Sequence, residues 1–98
     1  MAKFIKCEEH GWKGVYLFQC PGCGCAHYVN TIEGEMGNPC WHFNGDVDNP
    51  TVSPSILVRY PTAEKMNICH SFVRNGKIEF LSDCTHELAG KTVELENW

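Results

Sequence analysis

The sequence predicts a mainly β protein, a compact antiparallel sheet with at most one short helical turn, so that a small α+β fold is the variant to keep in view. Three observations carry this. Short β-prone runs recur along the chain with polar or turn-forming residues between them. Asn75-Gly76 separates two of the runs as a two-residue hairpin loop. Cys20-Pro21-Gly22-Cys23-Gly24-Cys25-Ala26-His27 packs three cysteines, two glycines, a proline and a histidine into eight residues, a staple for a fold with a small core.

The elements follow in order. Residues 15–18 (Val-Tyr-Leu-Phe) lead into the cysteine-rich stretch and residues 26–32 lead out of it, which predicts a hairpin with that stretch at its tip. Residues 33–39 are glycine-containing and break the pattern, a loop. Trp41-His42-Phe43 is a brief strand ended by the turn dipeptide Asn44-Gly45. Residues 46–54 contain two prolines and several turn formers, so they are expected as ordered irregular backbone that delivers Ser55 to the start of a strand over 55–60. Pro61 stops that strand, and 62–67 is a polar connection. Residues 68–74 and 77–83 flank Asn75-Gly76 as the two arms of a hairpin. Ser82 or Asp83 is placed to cap a helical turn over 84–89 that ends at Gly90. Residues 91–95 alternate polar and apolar, a last half-buried strand. There is no internal repeat, and 1–98 reads as one domain.

Composition bounds the function. Ninety-eight residues at 43% hydrophobic content give one small core. Seven cysteines could form a disulfide framework in a secreted chain, but the number is odd and the N-terminal residues lack an apolar signal region. A reducing, cytoplasmic setting is expected. No apolar run approaches the ~18 residues of a membrane span, so no membrane partner is expected. The net charge of −4, with eight scattered Lys and Arg, makes nucleic acid an unlikely partner, because phosphate binding needs clustered cations.

The cysteine stretch reads as a zinc knuckle. A Cys-x2-Cys turn converges two thiolates on one ion, and Gly22 and Gly24 let the backbone curl toward the sulfurs. A redox role is the weaker alternative, since redox Cys-x2-Cys motifs open a helix. A structural zinc contributes roughly 10–16 kcal/mol of apparent binding free energy to the folded state, enough to compensate for a small core. Cys20 and Cys23 supply half of a tetrahedral site. Two sets compete for the other half: Cys7 and His10, close by in sequence, or Cys69 and Cys84.

Hairpin arithmetic favours the second set. A two-residue loop pairs Arg74 with Lys77, which sets Cys69 opposite Ser82 and His70 opposite Leu81. Cys84 then lies diagonal to Cys69 on one face, at about 7–8 Å between Cβ atoms, and Asp83 lies diagonal to His70 on the other. The first face completes a four-cysteine zinc site of Cys20, Cys23, Cys69 and Cys84. Buried thiols of no chemical role are the competing reading, and Cys40 beside Trp41 is assigned to it. The second face has a base, His70, and an orienting carboxylate, Asp83, lacking only a nucleophile. Ser55 is the hydroxyl best placed to be held rigidly, where a proline-conditioned segment enters a strand. A turn-forming serine and a structural histidine are the plain alternatives.

The motifs also carry a resemblance. Phe18-x-Cys20-Pro21-Gly22-Cys23-Gly24 with His27, Trp41-x-Phe43-Asn44-Gly45, Pro50-Thr51-x-Ser53-Pro54-Ser55-Ile56 and Cys69-His70-Ser71-Phe72-Val73 through Thr92-Val93 resemble a group of short bacteriophage and prophage zinc-knuckle proteins, over about 18–95. More distantly, the glycine-cysteine knuckle, Pro54-Ser55-Ile56 and His70-Ser71-Phe72-Val73 are similar to a peptidase domain encoded with bacterial ubiquitin-like conjugation genes. That resemblance implies a Ser/His hydrolytic centre beside a zinc knuckle, with Ser55 and His70 in those roles. The phage branch adds Cys69 and Cys84, and it implies the host cytoplasm as the setting.

Three functions are thus in play. The first is a zinc-stabilised serine peptidase acting on a protein, peptide or ubiquitin-like substrate through Ser55, His70 and Asp83. The second is a non-catalytic zinc-ribbon module that binds a host or phage protein with Trp12, Trp41 and Trp98. The third is a zinc-dependent hydrolase with His70 and His86 as ligands of an open site.

Overall fold

The structure, a computed structural model, describes residues 2–7, 14–31 and 40–98. His10, Trp12, Ile32 and the 33–39 loop lie outside the described residues. Strands β1 (Ile5–Lys6), β2 (Val15–Cys20) and β3 (Cys25–Asn30) make one antiparallel sheet in that order. Strands β4 (His42–Phe43), β5 (Val52–Pro61), β6 (Met66–Arg74), β7 (Lys77–Phe80) and β8 (Thr92–Glu94) make a second, also antiparallel and in sequential order. The fold is therefore mainly β, and the described residues contain no helix.

Turn chemistry sets the registers. Asn75 and Gly76 both take positive φ, 50° and 75°, the pair of values a two-residue primed turn requires. Arg74 accordingly pairs with Lys77, and the ladder runs back through Val73↔Ile78 and Phe72↔Glu79 to Ser71↔Phe80. The knuckle sits at the tip of the β2–β3 hairpin, where Cys20 faces Cys25.

Three expectations change in detail. β5 begins at Val52, not Ser55, and absorbs the cis Ser53–Pro54 bond and a register shift between Val52 and Ile56. Proline is accommodated there because the irregular step needs no ladder N–H from it. β7 ends at Phe80, not 83, after which the chain turns, with Cys84 N–H donating to the Leu81 carbonyl at 3.2 Å. The helical turn over 84–89 does not form. Thr85 spends its polar groups on β6 instead: its N–H donates to Ile68 O at 3.0 Å and its Oγ1 accepts from Ile68 N–H at 3.0 Å. Separate turns at His86–Ala89 and Leu88–Lys91 follow, with Gly90 at φ 78°.

The core joins the sheets. Phe4 stacks on Phe18 at 5.5 Å and on Phe43 at 5.4 Å between ring centroids, so an N-terminal aromatic bridges the two layers. Val29, Ile56, Val73, Ile78 and Phe80 are buried with them, each worth roughly 1.5–3 kcal/mol of burial. β6 alternates in the manner of a half-buried strand. Cys69, Ser71 and Val73 are buried, whereas His70, Phe72 and Arg74 face outward. Consecutive residues Cys69 and His70 are thereby assigned to opposite faces of one sheet. Among the described residues there is no helix long and apolar enough to cross a membrane.

Candidate active site and metal centre

On the inner face, the knuckle meets β6. The β2–β3 turn closes with Gly24 N–H donating to the Cys20 carbonyl at 2.9 Å, and Cys23 N–H points at Cys20 Sγ at 3.4 Å. Gly24 needs its positive φ of 71° for this. The ligand atoms of Cys20, Cys23, His27 and Cys69 lie within 4.8 Å of one another and could hold a metal ion. Two independent features fit that. Cys20 Sγ and Cys69 Sγ are 3.8 Å apart, the separation expected of two thiolates bonded at ~2.3 Å to one tetrahedral zinc. His27 Nε2 is buried with no hydrogen-bond partner among the described residues, a costly position for an imidazole nitrogen unless something occupies its lone pair.

The electrostatics agree. A hydrogen bond from the Cys69 thiol, with help from His27 and the Cys23 amide, lowers Cys20 to about 4. Cys23 is pushed up to about 11 by burial and by the negative Cys20 beside it. Cys69, which donates to Cys20, is pushed up strongly. Three clustered thiols hold one charge comfortably and resist the second and third. A divalent cation is the partner that allows all three to ionise. Tyr60, at the end of β5, is raised by the Cys23 thiol beside it.

Cys84 and His86 form a neighbouring group with Cys69, their ligand atoms also within 4.8 Å. Of the four cysteines expected from the sequence, Cys20, Cys23 and Cys69 share the first group and Cys84 joins Cys69 in the second; the Cys84 thiol also donates to the His70 carbonyl at 3.1 Å and accepts from the His70 amide at 3.2 Å. His27 stands in the fourth position of the first group. The His86 ring lies against the backbone of Gly22, edge-on to Phe80 at 4.5 Å, with Nδ1 accepting the Leu88 N–H at 3.2 Å. Cys7 is buried away from both groups, and Cys25 and Cys40 join neither.

On the outer face, Ser55, His70 and Asp83 meet. β5 and β6 pair Leu57 with His70, so Ser55, two residues before Leu57, is on the His70 side. Ser55 Oγ is 3.0 Å from His70 Nε2, and His70 Nδ1 is 3.1 Å from Asp83 Oδ2. The chain turn after β7 swings Asp83 under the ring. The imidazole is 26% exposed and the carboxylate 52%, so both are open to solvent. Both ring nitrogens of His70 are engaged, and neither candidate metal group includes it. An open zinc site built on His70 and His86 has no support in this geometry. Trp41 is buried with its ring N–H on the Ser55 carbonyl at 3.2 Å, so it braces the strand instead of offering a contact surface, while Trp98 is 40% exposed.

His27 is the member of this group that sequence reasoning did not single out as a candidate ligand. The signal was present: opposite residues of an antiparallel pair share a face, and Phe18↔His27 and Cys20↔Cys25 put His27 on the side of Cys20.

Residues 2–81 match a family model described as bacterial ubiquitination-like system serine protease. No curated protein and no solved structure matches the chain.

Proposed function

The chain belongs to the bacterial ubiquitination-like system serine protease (BubE) family, and from that premise we propose that it is a zinc-stabilised serine hydrolase cleaving an amide bond in a protein or ubiquitin-like substrate. The observation that carries the reading is the continuous Ser55–His70–Asp83 relay on the solvent face of the second sheet.

The roles follow from the bonds. The Asp83 carboxylate accepts His70 Nδ1–H, which leaves Nε2 as the basic nitrogen facing Ser55 Oγ. As Oγ attacks the substrate carbonyl carbon, Nε2 takes the hydroxyl proton, and Asp83 stabilises the imidazolium. His70 then gives that proton to the amide nitrogen as the C–N bond breaks, releasing the amine and leaving an ester on Ser55. Water attacks the ester with His70 again as base. The acid departs and Ser55 regains its proton.

Zinc is the ion we assign to Cys20, Cys23, His27 and Cys69, because three thiolates and an imidazole are its usual structural donors. When bound it supplies structural charge neutralisation, joining the knuckle to β6. Cys69 is next to His70, so the same strand is tied on one face and reactive on the other. Labelling by an alkyl fluorophosphonate, located to Ser55 and lost in Ser55→Ala, tests the reading.

A further inference from the structure

Among the described residues, β5 has an edge from Ser55 onward to which no strand is paired. The amides of β6 identify it. Ile68 has its N–H and C=O satisfied by Thr85, and His70 has its own satisfied by Cys84 and Leu81, all on the side away from β5. Main-chain groups alternate from one side of an antiparallel strand to the other. Cys69 and Ser71 therefore face β5, where their partners are Val58 and Ile56. Leu57 and Arg59 consequently direct their N–H and C=O groups to the opposite side. The Ser55 carbonyl is there too, accepting from the Trp41 ring.

Among the described residues little covers that side. β4 pairs only with Val52 and Ser53, and at Trp41 the chain leaves β5, its main-chain N–H donating to Asn30 of β3 at 2.8 Å. Among the described residues no strand pairs with the edge beyond Ser53. Leu57 is 44% exposed, and Arg59 is exposed beyond it. Pro54 and Pro61, which lack N–H groups, bracket the free run.

We propose that this edge is the substrate-binding strand: an extended polypeptide segment adds to β5 beside Leu57 and Arg59 and so carries its scissile carbonyl to Ser55 Oγ. The inference rests on the hydrolase reading and names its substrate class. An extended polypeptide is the ligand whose own N–H and C=O groups repeat at the spacing of the edge. The nucleophile stands at one end of the free run, so strand addition orients the reacting bond. Leu57, on the face of Ser55 and His70, meets an apolar side chain of the segment, and Arg59 favours an acidic one.

Two probes separate this inference from the hydrolase reading. On the intact, zinc-loaded chain, labelling of Ser55 by a simple alkyl phosphonate is compared with labelling by the same reactive group on an acetyl-Ala-Ala-Ala arm. The arm is expected to raise the second-order rate constant by about tenfold or more, the worth of one or two net hydrogen bonds. N-methylation of the arm should remove that advantage at alternate amides only. Leu57→Pro, which deletes an N–H on the open side and none in the ladder, should bring the ratio of the two rates toward one. A ratio near one in the unmodified chain, indifference to N-methylation, or edge-to-edge dimers with no gain from the arm overturns the inference alone. Failure of both probes to label Ser55 overturns the hydrolase reading and the inference with it.

Discussion

The Cys84 thiol holds both main-chain groups of His70, accepting from its N–H at 3.2 Å and donating to its C=O at 3.1 Å. It does so where β7 has already ended, so a side chain does the work of a missing strand partner. Cys84→Ala should therefore lower reactivity at Ser55 and cost about 1–3 kcal/mol, the penalty for a main-chain N–H left unpaired, while the His70 carbonyl keeps the Leu81 N–H at 2.9 Å. Cys84→Ser, which can donate and accept, should recover most of both. Zinc content should be unchanged in either variant. Loss of zinc in Cys84→Ser would instead make Cys84 a ligand.

The metal centre has its own signature. The purified chain should hold about one zinc, and Cys20→Ser, Cys69→Ser and His27→Ala should each lose it, while Cys7→Ser keeps it. Chelation should lower the melting temperature and abolish labelling at Ser55 together, because Cys69 and His70 are neighbours on β6 and metal binding is coupled to folding. A chelated chain with an unchanged thermal transition would contradict this.

Gly22 is required by its neighbour. A Cβ at this position would collide with the His86 ring, which is held in turn by Phe80 and by the Leu88 amide. Gly22→Ala should destabilise by about 1–3 kcal/mol, the range for forced overpacking. The pairing can be checked by chemical denaturation: adding His86→Ala should relieve part of the cost of Gly22→Ala, a coupling that independent sites would not show.

Much of this site was legible because a hairpin is a counting device. Asn75-Gly76 fixes Arg74 against Lys77, and two-residue alternation then separates Cys69 from His70, whereas Asp83 reaches His70 through the turn after Phe80. The count reaches only as far as the ladder does. β7 ends at Phe80, so Cys84 arrives by a turn: its thiol meets the His70 main chain and lies within 4.8 Å of Cys69 Sγ, in a group separate from the one that holds Cys20 and Cys23. Likewise, the local pattern over 84–89 resembled a capped helical turn, but Thr85 bonds Ile68, a contact 17 residues away in sequence that propensity cannot register. The division into two sheets rests on Phe4 packing against Phe18 and Phe43, again a contact without a local signal.

Asp83 should contribute less than His70. Its carboxylate is 52% exposed, so water competes for the Nδ1–H that it accepts. Asp83→Asn should slow hydrolysis by well under the ~10⁴-fold seen where a triad aspartate is buried, with the loss falling on kcat more than on KM. An effect as large as that of His70→Ala would show that the carboxylate closes off from solvent when substrate binds.

The most direct measurement is the mass of the folded, zinc-loaded chain after treatment with an alkyl fluorophosphonate, with the modified residue located by peptide mapping. The account expects one adduct, on Ser55, absent in Ser55→Ala and in His70→Ala, with zinc content unchanged in Ser55→Ala and its melting temperature nearly so. A zinc-loaded, folded chain that forms no adduct at Ser55, or an adduct that persists in His70→Ala, would contradict it.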